Sequence, residues 1–158
     1  MTTTIRALLQ GALVALVLGS VLTQALLPLL ADQLGGGYDE TRALVRPYTV
    51  LGILAVACLQ VALVAVMWLV GRVGRGDVFA ERSLRGVDVL TGGIGGATVL
   101  AAAPMVHLLL AVGVGGPGVV LGLGACLVAG SALTLLVRVM RGLLTEAIAD
   151  RAELAEVV

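Results

Sequence analysis

Few residues in this chain are of the types that do chemistry. There is one histidine, His107, and there are two cysteines, Cys58 and Cys126. A protein metal site usually needs three or four Cys, His or carboxylate ligands at recognisable spacing, and this set does not supply them. No Ser, Thr or Cys stands in a pattern with a base and an orienting acid, the arrangement an activated nucleophile requires. The expectation is therefore no cofactor, no metal and no enzyme. Gly113, Gly115 and Gly118 spell G-x-G-x-x-G. That fingerprint cradles a pyrophosphate only between a strand and a helix, with an acid about 20 residues further on. The next acid here is Glu146, and the flanks are apolar. The dinucleotide reading is rejected.

His107 could tune a response to pH, but its setting favours a hydrogen-bonded packing residue at a depth close to Gln24. Cys58 and Cys126 fall about 12–15 Å below one membrane boundary by helical rise. Matched depth permits a redox pair if their helices touch. Isolated thiols in apolar surroundings more often behave as small inert residues.

The elements that must carry these residues are written in the composition. Of 158 residues 59% are apolar and 13% charged, against about 45–50% and about 25% in an ordinary soluble domain. A water-soluble globule is excluded, and so is intrinsic disorder, which needs a shortage of apolar surface. Four apolar segments, residues 7–30, 48–71, 87–111 and 117–137, reach the roughly 20 residues that cross a bilayer. The third is the poorest helix former, with Gly92, Gly93, Gly95, Gly96 and Pro104. A backbone in lipid must still satisfy its own hydrogen bonds, so it too reads as a helix, kinked near Leu100 by Pro104. The predicted fold is all-α: one polytopic membrane domain over residues 1–158, with four transmembrane helices.

Arginine placement orients the helices. With the N-terminus inside, the inner side carries Arg6, Arg72, Arg75, Arg82, Arg85, Arg138, Arg141 and Arg151, and the outer side only Arg42 and Arg46. Basic residues accumulate on the cytoplasmic side, so both termini are expected there. Trp68 and Tyr48 sit at the two ends of the second span, where interfacial aromatics belong. The first span has one basic residue before a stretch far longer than the 7–15 apolar residues of a signal peptide, which favours an uncleaved helix. An Arg-only, Ala/Gly/Val/Leu-rich chain suggests a GC-rich bacterial genome, and hence the bacterial cytoplasmic (inner) membrane.

Small residues offer helix-packing faces: Gly11, Ala15 and Gly19 on the first span, Gly92 and Gly96 on the third, Gly118 and Gly122 on the fourth. Such faces let backbones approach where lipid removes the hydrophobic drive. Packing within one chain is favoured over a homodimer face, although a homo-oligomer stays open. Within the spans the polar residues are uncharged, apart from partial protonation of His107, whereas ion-coupled transporters place charges at depth.

The stretch Gly71-Arg72-Val73-Gly74-Arg75-Gly76-Asp77-Val78-Phe79-Ala80-Glu81-Arg82-Ser83-Leu84-Arg85-Gly86-Val87-Asp88, which contains the inner loop, is the most distinctive in the chain. The tail, residues 142–158, keeps Leu144, Ile148 and Ala152 on one stripe and Glu146, Asp150 and Glu153 off it. Together they resemble the bacterial four-helix membrane family catalogued as domain of unknown function 2975, whose turn is Gly-x-Val/Ile-Phe-Ser followed by Leu-Arg. Ala80 replaces the family's Ser here. The resemblance implies no activity and no ligand residues. It does imply a cytoplasmic protein partner, a small helix-turn-helix regulator, with no direct nucleic-acid binding by this chain. Arg72, Arg75, Asp77, Phe79, Arg82, Arg85, Glu146, Asp150 and Glu153 form the candidate cytoplasmic interface, with the acidic tail expected to turn toward the basic loop or a partner. The function expected is an interaction or regulatory protein embedded in the lipid bilayer. The alternative is a small transporter subunit or channel active only as an oligomer, with Gln60, Ser131 and Thr134 lining its path.

Overall fold

A computed structural model of the chain describes residues 3–35, 42–73, 81–113 and 115–156. Charge-free stretches set the helix lengths. Between Arg6 and Asp32 there is no ionisable side chain, and α1 runs unbroken over Thr3–Gly35. Helix α2 covers Arg42–Val73 and α3 covers Glu81–His107. Helix α4 covers Pro117–Glu156. All four are long and apolar enough to cross a membrane. Each exceeds its expected span, because polar residues at the ends extend the helix past the apolar segment. The tail joins α4 in a single helix of 40 residues, about 60 Å at 1.5 Å per residue.

Pro104 lies inside α3, and α-helical bonding continues to His107. The chain then widens into a π-turn over Leu108–Val112. Gly113 closes that turn with φ of 70°, its N–H donating to the carbonyl of Leu108. Left-handed φ carries no Cβ penalty for glycine.

Each helix packs on its sequence neighbours: α1 on α2, α2 on α3 and α3 on α4. Among the described residues α1 and α4 share no extensive contact, so the helices form an open array and not a closed bundle. The core is made of small residues, Ala55, Ala62, Ala65 and Ala102, with Leu13, Val87 and Ser83. Large aliphatic side chains point outward, as with Leu121 at 72% and Val128 at 70% exposure, which is the reverse of a soluble domain.

Close approach holds the central pair together. A Cβ built on Gly93 would stand 2.8 Å from the Cys58 carbonyl oxygen and 2.9 Å from the Ala62 Cβ. Only glycine lets α3 lie this near the α2 backbone. The predicted faces compare unevenly with these contacts. Gly96 lies against Cys58 Sγ and Gly122 against the Met105 methyl, whereas Gly11, Gly19, Gly92 and Gly118 have nothing within 4 Å of a Cβ position. The α3 contact is made by Gly93 and not Gly92, because one residue turns the helix face by about 100°. Gly130 and Gly86, absent from the predicted faces, are also buried: Gly130 against Thr98 and Gly86 against Trp68 and Leu69.

Gly93→Ala should lower stability by about 1–3 kcal/mol, the usual range for overpacking, read as a fall in unfolding temperature in detergent. Gly19→Ala, facing open space, should leave the temperature unchanged or raise it. Equal behaviour of the two variants would remove the close-approach explanation.

Candidate functional site

Helix register gathers the arginines at one end. Arg6 on α1 donates to the carbonyl of Gly71 at the end of α2, 3.4 Å away. Arg72 lies over the Trp68 ring, 4.2 Å from its centroid, a cation–π placement that suits a guanidinium at an apolar boundary. Arg141 grips Asp88 with both ends of its fork, Nε to Oδ1 at 2.5 Å and Nη2 to Oδ2 at 3.2 Å. This is the one ion pair among the described residues. Sequence reasoning missed it, although the signal was present: Asp88 opens the third apolar segment and Arg141 follows the fourth, so antiparallel helices bring them level.

Arg85 and Arg138 are exposed at the same end. Asp88, Thr91, Gly92, Gly95, Gly96, Thr134, Arg138 and Arg141 line a groove of about 680 Å³ between α3 and α4. An apolar groove of about 580 Å³ lies between α2 and α3, with Trp68 and Arg85 at its arginine-rich end.

Of the expected interface, Arg75, Asp77 and Phe79 fall outside the described residues, as do the side chains of Arg82 and Glu153. Glu146 and Asp150 stand exposed on the α4 extension. The pairing expected between basic loop and acidic tail does not form where it can be seen: neither acid pairs with Arg72 or Arg85. Helix α4 packs on α3, and both acids face away from these arginines, exposed on its far end.

The polar residues within the spans hold helices to one another. Gln60 Nε2 donates to Gln24 Oε1 at 3.0 Å and to Ser20 Oγ at 3.1 Å, and Gln24 Nε2 donates to the Ile53 carbonyl at 3.1 Å. Ser131 and Thr134 donate to carbonyls of their own helix, at Val128 and Gly130. Gln60 therefore belongs to the α1–α2 seam, while Ser131 and Thr134 lie on α4. At the opposite end Tyr48 Oη and His107 Nδ1 are 2.7 Å apart, with the rings edge to face. Cys58 and Cys126 are both free, and α3 lies between their helices. Cys126 Sγ donates instead to the Thr98 carbonyl at 3.8 Å. Among the described residues no group of three His, Cys, Asp or Glu side chains could hold a metal ion.

Four long apolar helices, cross-linked by uncharged polar groups within the spans and edged with arginine, define a membrane-type helical protein. More particularly, the chain belongs to the family described as protein of unknown function (DUF2975), whose family model matches residues 29–158. No curated protein and no solved structure matches the chain.

A double-mutant cycle on Asp88→Asn and Arg141→Gln, followed by unfolding in lipid-free detergent, should return a coupling of up to about 1 kcal/mol, the range for exposed pairs. A value indistinguishable from zero would mean that the fork does not fasten α4 to α3.

Proposed function

We propose that this is a multi-pass protein of the bacterial cytoplasmic membrane, with both termini inside, that acts as an interaction or regulatory protein through its cytoplasmic loop and tail. The orientation rests on the arginine bias: Arg6, Arg72, Arg85, Arg138 and Arg141 share one end of the array, while Arg46 lies toward the other. Basic residues near span ends set topology.

The observation that carries the functional reading is the extension of α4. Its 40 residues far exceed the roughly 30 Å hydrocarbon thickness, and Glu146 and Asp150 are exposed on the excess. A helix that lies on a membrane carries a basic polar face. This one is acidic, is repelled by anionic lipid, and suits a protein with a basic surface. A small helix-turn-helix regulator, the partner implied by the family resemblance, has that chemistry.

Neutralising the acidic face with Glu146→Gln, Asp150→Asn and Glu153→Gln should leave membrane accumulation unchanged and remove a cytoplasmic protein captured by the parent in mild detergent. An unchanged set of captured proteins defeats the interaction reading.

Topology is tested separately, with single cysteines at Gln33 and Glu146 in a background lacking Cys58 and Cys126. An impermeant thiol reagent applied to intact cells should label the first and not the second. The reverse pattern inverts the protein.

A further inference from the structure

The groove between α3 and α4 has more hydrogen-bond donors than its own acceptors can use. Thr91 and Thr134 already donate their hydroxyls to the carbonyls of Val87 and Gly130. Each oxygen of Asp88 accepts one hydrogen bond from Arg141, Oδ1 from Nε and Oδ2 from Nη2. A guanidinium carries five N–H groups and no acceptor, so Arg141 keeps donors to spare. Arg138 makes no hydrogen bond or ion pair among the described residues. The charged lining is thus two arginines against one carboxylate.

The α3 wall beside these donors is largely bare backbone. A Cβ at Gly92 or Gly95 would meet nothing within 4 Å. From Asp88 to Gly96 the groove follows α3 for about 12 Å, leading from the charged end into the apolar stretch. Leu135 and Val139, 61% and 62% exposed, stand beside Thr134 and Arg138 on α4.

We propose that this groove binds an anionic phospholipid, its phosphate between Arg138 and Arg141 and one acyl chain along the bare backbone at Gly92 and Gly95. The charge surplus selects an anion, and basic pockets between membrane helices on the cytoplasmic side suit lipid headgroups. The trough that runs on into apolar surroundings selects a lipid over a free phosphate. The site is independent of the acidic tail.

The test is a titration of the purified full chain in detergent with phosphatidylglycerol or phosphatidylcholine, read as the shift in unfolding temperature. Phosphatidylglycerol should raise it saturably, and phosphatidylcholine should not. Arg138→Gln should weaken the apparent affinity about fivefold, as expected for one arginine at a headgroup. Gly95→Leu, which fills the trough without changing charge, should also weaken it. Arg85→Gln removes the same charge outside the groove and should leave affinity intact. Equal loss with Arg85→Gln would reduce the effect to general surface charge and overturn the proposal. Equal stabilisation by soluble glycerol 3-phosphate would also overturn it, making the ligand a free phosphate. A change in the size of the protein–detergent complex on Gly95→Leu would mark the groove as a contact between copies, and the lipid assignment would fall.

Discussion

The approach of α3 to α2 at Gly93 is the contact on which the array depends. Leucine gains nothing by leaving lipid for another leucine, so helices in a bilayer associate by backbone proximity and polar bonds. With Gly93 set against the Cys58 carbonyl and Ala62, the remaining α2–α3 pairs follow in register. Gly86 meets Trp68 toward the arginine-rich end, and Tyr48 meets His107 at the other. Helix α3 then receives α4, where Gly130 faces Thr98 and Gly122 faces Met105. The helix with the weakest intrinsic propensity, α3, is one of the two inner helices of the array, each packed on two others. That is reasonable in lipid, where leaving the helix would strand backbone groups without water.

The existence, number and approximate extent of the helices were legible from uncharged runs, because length and composition alone decide whether a segment can span. Which face each helix presents was less so. Gly92 and Gly93 are adjacent in the sequence and point in different directions, and only the neighbour decides which is buried. Gln24 and Gln60 were readable as uncharged polar residues within the spans, but their convergence with Ser20 on one seam depends on α1 choosing α2. The Asp88–Arg141 fork was readable from the two span ends once antiparallel packing is granted. Among the described residues Glu146 and Asp150 do not pair with Arg72 or Arg85, since charge composition alone does not place a side chain.

Polar chemistry in the chain divides by depth. Within the spans, uncharged amides and hydroxyls tie α1 to α2 or bond back to their own helix. Charged groups lie toward the helix ends, at or beyond the edges of the apolar stretches. Arg72 illustrates the boundary: its guanidinium rests on the Trp68 face, as suits a long cationic side chain at the edge of an apolar surface.

Neighbour-only packing has a consequence for how the protein comes into being. Each extensive interface joins helices consecutive in the chain, so no helix must wait for a distant partner to be synthesised. As α2 emerges it can dock on α1 through Gln60 and Gln24; α3 then adds at Gly93, and α4 closes the series. Local pairing of this kind keeps loop-closure entropy small at every step. Assembly can therefore proceed by accretion, one helix at a time, in the order in which the ribosome delivers the chain.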